Sequence, residues 1–248
     1  MNSIDLAFAP ALKLACLIRQ KEISPLALVE IFLSRIDRLD RQLGSYFFVA
    51  TESAIADATA KTETLANYQS TDELPPFFGV PISIKDLQPV AGMPHTFGVA
   101  ALKDNIADRD SALVAKLKQA GFILLGKTAT CQLGTLPYTE PPGFPPARNP
   151  WNLDYTPGGS SGGAAAATAA GLCPVAQASD GGGSIRGPAA CCGLVGIKPS
   201  RGRVSAAPLG ERFGGLGVCG PLARNVADAA AVLDVMSGYV VGDPYWLP

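Results

Sequence analysis

The chain has 248 residues, and its 20 lysines and arginines nearly balance 21 aspartates and glutamates. The length suits one large domain with a sizeable core, and the net charge of −1 gives no overall field that would attract nucleic acid or an anionic membrane. Six cysteines without a Cys-x-x-Cys pair indicate neither zinc nor a disulfide framework. The N-terminus lacks a basic segment followed by an apolar core, so no signal peptide is predicted, and we expect a cytoplasmic protein.

The first part of the chain is predicted to be helical. Ser24 and Pro25 mark the start of a helix, an apolar stripe at helical spacing follows, and Gly44 ends it. A second, alanine-rich helix is expected around residues 53–68. These two helices predict an N-terminal helical arm.

From residue 77 onward, short apolar runs alternate with turns and a helix. A strand leads to Lys85, a helix capped by Asp110 or Ser111 follows, and after Gly121 comes a short buried strand at Phe122–Leu125. This order indicates an α/β fold with a central, mostly parallel or mixed sheet.

Two further helices are predicted, at residues 164–171 and 226–236, on either side of a glycine-rich stretch. We expect the helical arm to cover residues 1–70 and the α/β core residues 71–248, the two together forming one domain.

Two short motifs match known patterns without the context that these patterns need. Residues 121–128 (GFILLGKT) fit the Walker A expression, but their middle is a predicted buried strand preceded by a helix, so we interpret the match as accidental. Residues 158–162 (GGSSG) fit the nucleophile elbow of α/β-hydrolases, which requires a histidine downstream. The single histidine, His95, lies upstream and is interpreted as structural or solvated.

The glycine triplet at 181–183 indicates where backbone N–H groups must converge, and Ser184 directly after it is the first candidate nucleophile. With one upstream histidine, a serine would need a lysine as its base, and Lys85 follows an apolar run where burial would lower its pKa. Taken alone, however, this pattern favours a surface lysine that pairs with Asp86.

Several motifs taken together resemble the amidase signature family. They are GVPISIKD around Lys85, NPW at 149–151, PGGSSGG at 157–163, SDGGGSIRGPA at 179–189 and CGLVGIKPSRGRVS at 192–205. The resemblance implies an α/β/α layered fold. It also implies a chain that is incomplete at the C-terminus, because family members run to nearly twice this length.

The resemblance implies a Ser-cis-Ser-Lys triad. Ser184 matches the nucleophile, Ser160 the relay serine that follows a cis peptide bond from Gly159, and Lys85 the general base. It further implies an oxyanion hole, bracing residues around it, and no metal or other cofactor. The matching oxyanion-hole positions are Gly181, Gly182, Gly183 and Ser184, and the supporting ones are Ser161, Asp180 and Arg186, the last two as a buried ion pair.

The implied activity is hydrolysis of a small-molecule carboxamide to a carboxylate and ammonia or an amine, through an acyl-enzyme on Ser184. One alternative within the family is the amidase (glutaminase) subunit of a tRNA-dependent amidotransferase. An alternative of another class is a truncated, non-catalytic binding or assembly module. No nucleic acid or membrane partner is expected, and a homodimer is left open.

Overall fold

A central six-stranded sheet carries the fold in the computed structural model, which describes residues 1–68, 70 and 73–247. The strands are β1 (Tyr46–Val49), β2 (Pro81–Lys85), β3 (Ile123–Thr128), β4 (Val175–Asp180), β5 (Val195–Gly196) and β6 (Val218–Ala223). The helices are α1 (Ser3–Phe8), α2 (Ala11–Arg19), α3 (Pro25–Leu43), α4 (Thr51–Asn67), α5 (Ala112–Gln119), α6 (Gly162–Ala169), α7 (Arg186–Cys192) and α8 (Val226–Met236). Within the described ranges, no helix combines the length and the apolar character that crossing a membrane requires.

The strand order is β1-β3-β2-β4-β6-β5. The three central strands, β3, β2 and β4, run parallel, whereas β1 on one side and β6 and β5 on the other pair antiparallel. All residues of β2 and β3 are buried, as expected for short apolar strands at the centre of an α/β fold. The predicted α/β fold with a mixed sheet is confirmed.

Helix α3 begins and ends where its sequence signals predict. The Ser24 hydroxyl accepts the Ala27 N–H at 3.1 Å, and Pro25 is the first helical residue. Gly44 ends the helix with a φ of 55°, and a Cβ there would lie 2.5 Å from the Pro146 carbonyl oxygen. Only glycine therefore satisfies both the backbone conformation and the space at this position.

The other predicted helices also form. Helix α4 covers Thr51–Asn67, close to the predicted 53–68, and α5 is capped by the Ser111 hydroxyl rather than by Asp110. Helix α6 starts two residues before the predicted position, at Gly162. A Cβ at Gly163 would lie 2.4 Å from the Ala129 nitrogen, so the small residues here allow α6 to pack closely on its neighbours.

The N-terminal helices and the sheet share one hydrophobic core. Phe32 of α3 and Ile84 of β2 are both fully buried and belong to the same cluster. The boundary between the helical arm and the α/β core is predicted between residues 70 and 71. Residues 69, 71 and 72 lie outside the described residues, and so does residue 248. That division stays a prediction.

Candidate active site

Three chain segments meet at one edge of the sheet. Lys85 is the last residue of β2, and Ser179 and Asp180 end β4. Because β2 and β4 are parallel neighbours, their carboxyl ends lie side by side, which is the usual location of a ligand site in an α/β sheet. Ser160 and Ser161 reach the same place from the segment that enters α6.

The Lys85 ammonium group is surrounded by hydroxyls. Its side chain is fully buried, and its Nζ lies 2.7 Å from Ser160 Oγ, 2.8 Å from Ser161 Oγ and 3.1 Å from Ser179 Oγ. The interpretation of Lys85 as a surface lysine paired with Asp86 is wrong. Asp86 forms a buried ion pair with Lys127 instead, at 2.6 Å.

Burial lowers the pKa of Lys85 to about 7, although the nearby thiols of Cys131 and Cys219 and the Asp180 carboxylate act in the opposite direction. Removing the ammonium from water disfavours its charged form, and hydroxyl neighbours supply no full negative charge to compensate. Burial therefore makes the neutral amine more accessible near neutral pH than it is for an ordinary lysine, and a neutral amine can accept a proton.

The hydroxyl network can orient that amine. The Ser161 hydroxyl donates its hydrogen to the Ser179 carbonyl oxygen at 3.2 Å. Ser161 Oγ can therefore act only as an acceptor toward the Lys85 amine. A neutral amine has two hydrogens and one lone pair. If the hydrogens point to Ser161 and Ser179, the lone pair is left to face Ser160.

The entry to Ser160 is tightly packed. The Gly159–Ser160 peptide bond is cis, as the family resemblance implies. A Cβ at Gly159 would lie 2.4 Å from the Tyr138 nitrogen, and one at Gly162 would lie 2.4 Å from Thr139 Oγ1. The glycines of the PGGSSGG motif therefore leave room for the backbone around the two serines.

Asp180 organises the glycine-rich loop that leads to Ser184. Its carboxylate accepts the N–H groups of Gly183 at 2.6 Å and Ile185 at 3.1 Å, and two bonds from the Arg186 guanidinium at 2.9 and 3.0 Å. Burial alone would raise the pKa of Asp180, but these donors outweigh it and lower the pKa to about 2. The expected ion pair is present. Only its acidic partner is buried, because the Arg186 side chain is 56% exposed.

The free backbone donors of this loop are fewer than the sequence predicts. The Gly183 N–H is taken by Asp180. Over residues 1–68, 70 and 73–247, the N–H groups of Gly181, Gly182 and Ser184 have no hydrogen-bond acceptor. These three donors are available to an oxygen atom of a ligand.

Two openings reach Ser184. A small cavity of about 60 Å³ is lined by Ser160, Ser179 and Ser184, and a wider cleft of about 530 Å³ has Ser184 and Gly182 in its wall. Ser184 therefore lines both openings. Asp180 and Gly181 also line the small cavity.

Two other residues singled out in the sequence lie outside this site. Lys127, the lysine of the Walker-like match, lies in β3 and pairs with Asp86, which confirms a strand where that motif would need a loop. His95 is buried, with its ring tilted against that of Phe97 at 3.9 Å between centroids. Burial, with Lys127 nearby, lowers the pKa of His95 to about 4.

Ser179 is a residue near Lys85 whose role the sequence did not predict. It lies within a quoted motif, but its role depends on β4 ending beside β2, which brings its hydroxyl to the Lys85 amine. Serine at the end of a strand is common, so the residue type by itself carries no signal. Its position two residues before the glycine triplet is the only hint in the sequence.

This fold and this site define the class of the protein. The model of the family named Amidase matches residues 27–248, and the chain belongs to that family. A relative from Synechocystis sp., named "Putative amidase", is 60% identical over 98% of this chain and 48% of its own length.

Solved structures agree with this assignment. The structure of 6-aminohexanoate cyclic dimer hydrolase complexed with substrate matches with a TM-score of 0.89 at 37% identity, over 98% of this chain and 49% of the other. The structure of a glutamyl-tRNA(Gln) amidotransferase subunit from Thermotoga maritima matches with a TM-score of 0.80 at 32% identity, over 98% and 50% of the respective chains. This chain spans about half the length of the relatives that it matches.

Proposed function

We propose that the protein hydrolyses a carboxamide through an acyl-enzyme on Ser184, with Ser160 as the proton relay and Lys85 as the general base. The observation that carries the proposal is the fully buried Lys85 amine, hydrogen-bonded to Ser160 and with its pKa lowered to about 7. A base of this pKa has the proton affinity that general base catalysis near neutral pH requires.

In the first half of the reaction, Ser184 Oγ forms a bond to the amide carbon while its proton passes to Ser160 and the Ser160 proton passes to Lys85. The electron pair of the C=O bond moves onto oxygen. The N–H groups of Gly181, Gly182 and Ser184 are free to stabilise this oxyanion, and the loss of one such donor typically costs about 2.7–4 kcal/mol. Gly183, whose N–H binds Asp180, holds the loop in shape.

In the second half, the C–N bond breaks, and the nitrogen takes a proton from Ser160, which is resupplied by Lys85. The product is ammonia or an amine, and an ester remains on Ser184. Water then attacks this ester by the same proton route, releases the carboxylate and restores the Ser184 hydroxyl. The sequence of steps uses no metal and no cofactor.

The experiment that tests the proposal is intact-mass spectrometry after incubation with a fluorophosphonate probe. Wild-type protein is expected to gain one probe mass, located on Ser184 by peptide mapping, and Ser184→Ala is expected to gain none. Ser205→Ala is the matched control, because Ser205 lines the same cavity and should leave labelling intact. A folded wild-type chain that stays unlabelled would contradict the proposal and favour a non-catalytic binding or assembly module.

The amidotransferase subunit is a weaker candidate, since the Thermotoga protein is less similar in structure than the hydrolase of the cyclic dimer. Release of ammonia from glutamine that depends on a co-purifying partner would favour it. The cytoplasmic setting and the homodimer stay predictions.

A further inference from the structure

The small cavity beside Ser184 contains a charge that the proposed reaction does not use. Arg212 lines this cavity together with Ser160 and Ser184. Asp180 also lines it, but that carboxylate is already bound by the Arg186 guanidinium. Burial raises the pKa of the Cys219 thiol to about 11, so this neighbour is uncharged at neutral pH. Because Arg186 already pairs with the Asp180 carboxylate, Arg212 is the charged lining residue of this cavity whose charge is not matched by an ion pair within the described residues.

The Arg212 guanidinium has no anionic partner among residues 1–68, 70 and 73–247. It lies over the ring of Phe97, 5.6 Å from the ring centroid, and is half-buried. The adjacent acidic residue, Glu211, lines a different cavity. The hydrogen-bond donors of the guanidinium are therefore free within this part of the chain.

The backbone that carries Arg212 lies beside the glycine triplet at 181–183. The Gly217 N–H donates to the Arg212 carbonyl at 3.1 Å, which closes a turn. Phe213, the next residue, contacts the glycine triplet, because a Cβ at Gly181 would lie 3.0 Å from its ring. Arg212 therefore lies close to the loop that ends at Ser184.

We propose that Arg212 binds the carboxylate of the substrate, so that the protein prefers small amides that carry a carboxylate close to the scissile bond. This inference rests on the proposed function. A guanidinium presents a planar fork of donors that matches a carboxylate, and the pairing strengthens where water is partly excluded. The volume of about 60 Å³ restricts the anionic part to a short group.

The carboxylate belongs either to the acyl part or to the amine part of the amide. Two pairs of substrates, each a charged amide and a neutral analogue, show which part carries it. Succinamate and butanamide differ in a carboxylate on the acyl side. N-acetylglycine and N-propylacetamide differ in a carboxylate on the amine side. We expect wild-type protein to have a kcat/KM about tenfold or more higher for the charged member of one pair, as an ion pair with good geometry provides.

Arg212→Gln tests the assignment, with Arg109→Gln as the matched control, since Arg109 is a surface arginine whose side chain is 70% exposed. For Arg212→Gln we expect kcat/KM of the charged amide to fall about tenfold, mainly through KM, and that of the neutral amide to stay within about twofold. Arg109→Gln should leave both values unchanged. Arg212→Lys, which keeps the charge, should recover part of the loss.

Titration calorimetry with succinate separates this inference from the proposed function, because binding does not require turnover. If neither amide is hydrolysed but succinate binds to wild-type protein and about tenfold more weakly to Arg212→Gln, the proposed function fails and the anion site holds. If neutral amides are hydrolysed as well as charged ones and succinate binding does not depend on Arg212, the anion site is overturned. Circular dichroism of each variant checks that it is folded.

Discussion

Two fully buried lysines lie on neighbouring strands of the sheet in opposite surroundings. Lys127 of β3 pairs with Ile84, the residue before Lys85, in the register of the two strands. Lys127 Nζ contacts the Asp86 carboxylate at 2.6 Å and the Pro94 carbonyl oxygen at 2.8 Å. Lys85 Nζ forms hydrogen bonds only with serine hydroxyls among the described residues.

Both lysines are buried, so burial does not distinguish the structural lysine from the candidate base. The group that each ammonium contacts does. Burial lowers the pKa of both lysines. For Lys127 the Asp86 carboxylate opposes this effect and stabilises the charged form. Hydroxyls give Lys85 no such charge, so its pKa falls to about 7 and the amine can exchange a proton. The same side chain therefore serves as half of an ion pair at one position and can serve as a base at the other.

The largest expected effect comes from removing the candidate base. Lys85→Met should slow nucleophilic attack by Ser184 by about 10²–10⁴-fold, the range that general base catalysis contributes. Stability should not fall, because the substitution removes a buried amine without leaving a carboxylate unpaired. The rate of fluorophosphonate labelling and the urea midpoint measure the two effects. Near-normal labelling in a folded variant would show that another group accepts the proton.

The same substitution at the other lysine should affect stability instead. Lys127→Met leaves the buried Asp86 carboxylate without its cation, and we expect a loss of about 3–5 kcal/mol in the free energy of unfolding. Asp86→Asn combined with Lys127→Met should recover part of this loss, since an amide oxygen can still accept from Thr96. Urea denaturation measures each variant. If Lys127→Met were as stable as wild type, the two lysines would not differ as argued.

The pH dependence of serine labelling should report the protonation of Lys85. The base must be neutral, so the labelling rate should rise about tenfold per pH unit below its pKa of about 7 and level off above it. Pseudo-first-order labelling rates between pH 5 and 9 test this expectation, with circular dichroism to confirm that the protein stays folded. A profile that is flat through pH 7 would argue against a lysine whose charge changes there.

The smallest expected effect comes from the residues that orient the amine. Ser161→Ala removes one acceptor of a Lys85 hydrogen, a bond worth about 1 kcal/mol, and should slow labelling about fivefold. Ser179→Ala, at the longer distance of 3.1 Å, should have an equal or smaller effect. Ser205→Ala again serves as the control. An effect of Ser161→Ala as large as that of Lys85→Met would mean that Ser161, rather than Ser160, carries the proton.

The sequence predicted elements well where their signals are local. Ser24 and Gly44 mark the ends of α3 because capping and a positive φ depend on the adjacent backbone alone. Strand β3 was found within a few residues for the same reason, since its apolar run is contiguous. Sequence motifs also indicated which serines and which lysine belong together, through the resemblance to a family.

Interpretation of the sequence is wrong or missing where the ion-pair or hydrogen-bond partner of a residue is distant along the chain. Asp86 follows Lys85 directly and looks like its ion-pair partner, but β2 ends at Lys85 and Asp86 already belongs to the turn that follows. Its partner is Lys127, 41 positions away. The same limit hid Ser179, whose hydroxyl is 94 positions from the Lys85 amine that it contacts, and it hid Arg212 in the cavity wall.

The sequence by itself determined the main helices, the α/β class, the glycine loop and the membership of the chain in a family, since these depend on local spacing and contiguous motifs. Only the tertiary structure decided which lysine is charged and paired and which is surrounded by hydroxyls. It also decided which N–H groups of the glycine loop stay free, because Asp180 takes that of Gly183. Burial and hydrogen bonding depend on residues that the fold brings together from distant parts of the chain, and no local pattern records them.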